Sequence, residues 1–137
     1  MNALNAYTHL KVATAYSELS KAKRLQVGAV IVKDNRPISV GYNGTVSGAN
    51  NNCEEEVDGY LVTKPDVVHA EMNAIAFAAK NGVSTNDCSL IITHSPCFEC
   101  AKLIKQSGIK EVFYHKEYRD TKSILFLRVN KVKISKI

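Results

Sequence analysis

The chain has 137 residues, 45% of them apolar and 23% charged, a balance expected of one soluble globular domain and not of a disordered or fibrous chain. The longest apolar stretch, residues 27–32, falls far short of the ~20 residues a membrane span needs. The opening Met1-Asn2-Ala3-Leu4-Asn5 lacks the basic-then-apolar layout of a secretory leader, so a cytoplasmic protein is expected. The net charge of +5 is uneven, +4 over residues 1–33, −6 over 34–101 and +7 over 102–137. Such a pattern serves solubility or attracts a phosphate-bearing partner, and charge alone does not choose between them.

Apolar residues at helical spacing over 2–20 predict a first helix. The continuous run 27–32 predicts a strand buried on both faces. Turn residues from Lys33 to Pro37 then return the chain as a second strand over 38–42. Residues 43–64 carry few apolar groups and read as a long loop, a kind of segment that is usually functional. Pro65-Asp66 opens a helix to about Lys80, which Asn81-Gly82 stops. A strand over 89–93 leads to Pro96, placed to suit the first turn of a helix that ends near Gly108. A strand over 111–115, a helix over 119–129 and a short strand over 132–134 complete an alternating α/β chain with a mixed sheet, occupying residues 1–137 as a single domain.

The chemistry concentrates at two of these helix starts. One carries His69-Ala70-Glu71, the other Pro96-Cys97-Phe98-Glu99-Cys100. A catalytic zinc takes three protein ligands and keeps one position open, and His69, Cys97 and Cys100 make such a set. Cys97 and Cys100 are three apart and share a helix face, and the positive end of the helix dipole favours their thiolates. Glu71 lies about 200° round an ideal helix from His69. It is therefore a neighbour of the metal and not a ligand, and it reaches the same point only if His69 sits in the opening turn. Zinc with two thiolates and one neutral imidazole is formally neutral, so an adjacent carboxylate base becomes useful. Two blander readings stand beside this one: a structural zinc knuckle closed by Cys53, and a redox dithiol at Cys97 and Cys100. Cys88, in an apolar strand, reads as a core residue.

The pattern H-x-E…P-C-x-x-C is a signature of zinc nucleobase deaminases. With Gln26-Val27-Gly28-Ala29-Val30-Ile31-Val32, Gly41-Tyr42-Asn43-Gly44, Met72-Asn73-Ala74-Ile75 and Gly108-Ile109-Lys110 around it, the sequence resembles the cytidine/deoxycytidylate deaminase superfamily, and its deoxycytidylate branch in particular. The resemblance spans residues 19–132. It implies a three-layer cytidine-deaminase-like fold with a five-stranded mixed sheet flanked by helices, assembled as a homohexamer. It implies that His69, Cys97 and Cys100 hold Zn²⁺, that Glu71 carries protons between water, N3 and the leaving amine, and that Asn43 touches the nucleotide.

The implied substrate is dCMP, hydrolysed to dUMP and ammonia, with dCTP as activator and dTTP as inhibitor. The effector would bind with Mg²⁺ along Gly41, Asn43, Gly44 and Gly48. Backbone N–H groups near Ala70 and Cys97 are candidates to hold the base, and Arg24, Ser95 and Tyr118 to hold the 5′-phosphate. Val46 stands where the family often has Pro. Ala22 stands where some viral members have a Cys that helps bind a second zinc, so Cys53 is expected to be unpaired. Neither a membrane nor a nucleic-acid partner is expected. A tRNA adenosine deaminase, a free cytidine deaminase and a zinc-stabilised regulatory subunit without turnover are the competing readings.

Overall fold

The structure, a computed structural model, describes residues 1–118 and 121–137. Its elements are α1 (Ala3–Ser17), β1 (Gly28–Lys33), β2 (Arg36–Tyr42), β3 (Glu54–Val57), β4 (Tyr60–Thr63), α2 (Ala70–Lys80), β5 (Ser89–His94), α3 (Phe98–Gln106), β6 (Glu111–Lys116), α4 (Lys122–Val129) and β7 (Lys133–Lys136). Five strands form one mixed sheet in the order β2-β1-β5-β6-β7. The β2–β1 and β1–β5 pairs are antiparallel, whereas β5–β6 and β6–β7 are parallel. Each parallel pair is joined through a helix, as a parallel crossover requires.

Period-two alternation in β1 sends neighbouring residues to opposite faces. Ala29 and Ile31 join a core with Leu90, Ile92, Val112, Ala74, Ala101, Ile104 and Leu127, drawn from the sheet and from α2, α3 and α4. Val30 and Val32 pack on the other face with Ile91 and with Leu10 and Ala13 of α1. This is the expected three-layer arrangement, with β1 buried on both faces. Among the described residues no helix is long and apolar enough to cross a membrane.

Four boundaries differ from the sequence-based expectation. The first helix is shorter at both ends: Asn2 caps its start, accepting from the Asn5 N–H at 2.9 Å, and it stops at Ser17. The expected loop over 43–64 contains a two-stranded antiparallel hairpin, β3–β4, turned by Asp58 (φ 50°) and Gly59 (φ 81°). Two successive positive φ values are what a tight hairpin turn demands, and Asp-Gly supplies them. The second helix begins at Ala70 and not at Pro65, because residue 68 is still held in an extended bridge with Gly44. The third begins at Phe98, with Cys97 as its cap and Pro96 one step outside. The first two residues of the helix expected over 119–129 lie outside the described residues, Thr121 stands at the cap position and 122–129 form α4.

Two close approaches tie the helices to the sheet. A Cβ built at Gly28 would overlap the Ala13 carbonyl, so α1 lies directly on β1. A Cβ at Gly41 would overlap the Ala70 carbonyl and fall 2.5 Å from the Ala74 nitrogen, so α2 lies directly on β2. Ser39 Oγ donates to the Ala74 carbonyl at 2.6 Å and Asn73 Nδ2 to the Tyr42 carbonyl at 2.8 Å, which fixes α2 along the strand. Its N-terminus is thereby held beside the end of β5.

Candidate metal and catalytic site

The site forms where two helices begin at the end of the sheet. His69 and Cys97 are the N-cap residues of α2 and α3, both extended (φ −72°, ψ 156° and φ −72°, ψ 169°). Such a residue projects its side chain over the helix mouth, where unpaired N–H groups and the dipole favour negative charge. Cys97 Sγ accepts from the Cys100 N–H at 3.4 Å, a capping bond made by sulfur.

His69 Nδ1 lies 3.4 Å from Cys97 Sγ and 3.5 Å from Cys100 Sγ, and all three donor atoms lie within 4.8 Å of one another. Zinc bonded tetrahedrally to nitrogen and sulfur at its usual distances gives an N···S edge of about 3.5 Å. The two measured edges match it, so this donor set fits the ion. Cys53 and Cys88 are buried free cysteines outside this cluster, which removes Cys53 as a closing fourth ligand.

As a bare pair the two thiols share one proton. Their mutual hydrogen bond, helped by His69 and the Cys100 N–H, pulls Cys97 down to about 4. The same bond, with burial, pushes Cys100 well above the usual thiol range. One ligand is therefore ready as thiolate, and metal binding expels the other proton. Glu71, in the first turn of α2, is only 4% exposed. Burial pushes its carboxyl up to about 7, against the opposing pull of its own N–H and of His69. A carboxyl poised near neutrality is suited to take and return protons.

A cavity of about 180 Å³ opens beside these groups. His69, Glu71 and Cys97 line it together with Arg24, Asn43, Ala70, Ser95 and Tyr118, so the sequence-based candidates converge on one space. Their engagements differ. Asn43 uses both ends of its side chain internally, accepting from Val27 N–H at 2.9 Å and donating to the Leu25 carbonyl at 2.8 Å. Ser95 Oγ accepts from the Tyr118 N–H at 2.8 Å, joining the ends of β5 and β6. Arg24 Nη1 donates to Thr63 Oγ1 at 2.9 Å.

Seven further residues line the cavity, and three of them, Thr63, Val67 and His94, bear on how it is built. Thr63 arrives on the unforeseen hairpin. Val67 closes the turn that stands where the sequence predicts a helix start. His94 was legible only by its adjacency to Ser95-Pro96-Cys97. His94 Nδ1 is 2.8 Å from Thr93 Oγ1, which itself accepts from the Gly28 N–H at 3.2 Å. The imidazole thus pairs with a threonine hydroxyl that is already tied to the start of β1. Burial, then Lys116 and His115, lower its pKa.

A second cavity, of about 660 Å³, lies on the far side of Asn43, which lines both. Gly41, Gly44 and Gly48 line it with residues 45–47, Lys21 and Lys80. Gly41 has its α-carbon pressed against α2, so its first duty is packing.

Paired helix starts offering His, Cys and Cys beside a buried carboxyl suit a zinc-dependent hydrolytic enzyme. A family profile described as "Cytidine and deoxycytidylate deaminase zinc-binding region" matches residues 1–116. Deoxycytidylate deaminase of Enterobacteria phage T4 is 35% identical over 87% of this chain and 81% of that protein. Human deoxycytidylate deaminase is 41% identical over 82% of this chain and 65% of that protein. A crystal structure of dCMP deaminase from cyanophage S-TIM5 in complex with dCMP and dUMP superposes with a TM-score of 0.92 at 41% identity, covering 100% of this chain and 99% of that one. The chain belongs to the cytidine and deoxycytidylate deaminase family.

Proposed function

We propose that this protein is a dCMP deaminase, hydrolysing the C4 amino group of dCMP to give dUMP and ammonia. The observation that carries the reading is the end-to-end likeness to a deaminase solved with dCMP and dUMP, combined with the convergence of Arg24, Ser95 and Tyr118 on the cavity beside Glu71. His69, Cys97 and Cys100 would hold zinc, which when bound supplies Lewis-acid activation of the attacking water. Glu71 takes a proton from that water and delivers it to N3 of the ring. As the water oxygen bonds to C4, its second proton passes through Glu71 from the new hydroxyl to the amine, and the C4–N bond breaks to release ammonia. The starts of α2 and α3, at Ala70 and Cys97, orient the base. Arg24, Ser95 and Tyr118 receive the 5′-phosphate, and Asn43 holds the wall between the two cavities and meets the nucleotide from it.

The larger cavity supports a second, regulatory part of the reading. Its cationic Lys21 and Lys80 and its glycine-bearing loop suit a triphosphate with Mg²⁺. dCTP bound there activates and dTTP inhibits, within a cytoplasmic homohexamer that supplies dUMP for thymidylate synthesis. No nucleic acid is needed as partner.

Ammonia release from dCMP, CMP, deoxycytidine and tRNA by the zinc-loaded protein tests the substrate. Turnover of dCMP well above the other three is expected, and preferred release from tRNA or deoxycytidine would replace the reading. Glu71→Gln should retain zinc and fold yet lose turnover by about 10⁴-fold or more, the upper end for a general acid–base group, because one residue serves several transfers.

A further inference from the structure

Arg24 sits in an irregular stretch between α1 and β1 that makes no ladder of its own, yet its side chain lines the catalytic cavity. Side chains hold that stretch in place. Gln26 Nε2 donates to the Ser20 carbonyl at 2.9 Å, and Asn43 secures Leu25 and Val27. The middle is held by Glu54, the first residue of β3. Its Oε2 accepts from the backbone N–H of Lys23 at 2.9 Å and of Arg24 at 3.1 Å.

Glu54 is 4% exposed, and its Oε1 is buried with no hydrogen-bond partner among the described residues. A buried carboxyl group with an idle oxygen is costly. Across the hairpin the residue paired with Glu54 is Thr63. That threonine accepts from the Arg24 guanidinium at 2.9 Å. One rung of the hairpin therefore grips Arg24 twice, Glu54 at the backbone and Thr63 at the head group.

We propose that the Glu54–Thr63 rung is a positioning pair that aims Arg24 at the phosphate monoester of the nucleotide, and so sets the preference for nucleotide over nucleoside. This rests on the dCMP reading above and deepens it. The hairpin is a sheet of its own, separate from the five strands that carry α2 and α3, and the rung's bonds described above all run to Arg24 and Lys23. Its effect falls on phosphate affinity and leaves the chemical step alone.

The test compares kcat and KM for dCMP and for deoxycytidine in zinc-loaded wild type, Glu54→Leu, Glu54→Gln and Thr63→Val. Glu54→Leu should raise KM for dCMP roughly tenfold, the worth of one misplaced charge-assisted hydrogen bond, with kcat and the deoxycytidine values unchanged. Glu54→Gln keeps one accepting oxygen for both N–H groups and should restore wild-type KM. Thr63→Val removes only the head-group contact, and a loss of about threefold is expected. In an Arg24→Ala background, Glu54→Leu should add nothing to the dCMP-to-deoxycytidine ratio. If Glu54→Leu fails to fold, Thr63→Val and Glu54→Gln still decide the matter. An unchanged ratio in Thr63→Val, or equal losses for both substrates, overturns the proposal. A wild type that does not favour dCMP over deoxycytidine sinks the substrate reading and this proposal together. A wild type that favours dCMP, with variants keeping its ratio, sinks the positioning pair alone.

Discussion

Gly41 and Gly44 stand three residues apart beside the same large cavity, and alanine at the two positions should have opposite effects. At Gly41 a Cβ would lie 2.5 Å from the Ala74 nitrogen and 3.1 Å from its α-carbon, and it would overlap the Ala70 carbonyl. All three are backbone atoms of α2, so no rotamer change relieves them. Restoring ordinary van der Waals separation requires α2 to retreat by about 1 Å. Overpacking of this kind costs about 1–3 kcal/mol. The retreat also strains the Ser39–Ala74 and Asn73–Tyr42 hydrogen bonds, each worth about 0.5–1.5 kcal/mol. The expected loss is about 3–5 kcal/mol. At Gly44 a Cβ meets nothing within 4 Å and the backbone is not left-handed, so alanine should stabilise by about 0.4–1 kcal/mol through the unfolded chain. Urea denaturation of the zinc-loaded protein reads the difference as a shift in midpoint at constant slope. Because α2 carries His69 and Glu71, a 1 Å retreat should also lower dCMP turnover about 10²-fold in Gly41→Ala. A Gly41→Ala protein within 1 kcal/mol of wild type, losing only its response to dCTP, would refute the packing argument and make Gly41 an effector residue first.

The metal should leave with its ligands: zinc analysis of purified Cys97→Ala should show loss of the bound ion, and full retention would remove Cys97 from the site. In zinc-stripped protein the raised Glu71 pKa, about 7 against 4.5 unfolded, means the folded state binds the extra proton. Stability is then full below pH 4.5 and declines as pH rises through 7, by about 3 kcal/mol in total. Glu71→Gln should abolish that decline, and parallel stability–pH curves for the two metal-free proteins would contradict it. Steady-state curves against dCMP should shift to lower half-saturation with dCTP and Mg²⁺ and to higher with dTTP; superimposable curves at saturating dCTP would make the larger cavity a substrate lid.

The metal triad was legible in the sequence because its chemistry is local. Cys97 and Cys100 share a helix face by spacing alone, and His69-Ala70-Glu71 announces a ligand and a base at a second helix start. The alternation of strands and helices, and the double burial of β1, followed equally from short-range pattern. The hairpin β3–β4 was overlooked although Asp58-Gly59 signals such a turn, because three consecutive glutamates in β3 hid the strand pattern. Pro65-Asp66 reads as a helix start, but it forms a turn closed by the Val67 N–H on the Lys64 carbonyl at 3.2 Å, and the bridge between Gly44 and Val68 then delays the helix until Ala70. Tertiary structure alone decided how far residues distant in sequence converge. It set the 3.4–3.5 Å closure of His69 on the two sulfurs, the burial that raises Glu71 and the wall that Asn43 shares between two cavities. It also set the grip of Glu54 and Thr63 on Arg24, 30 and 39 residues earlier in the chain. Spacing records which residues share a turn or a face. Contacts made across the fold depend on how helices settle on the sheet, and here that is governed by the close approach of α2 to Gly41 and of α1 to Gly28.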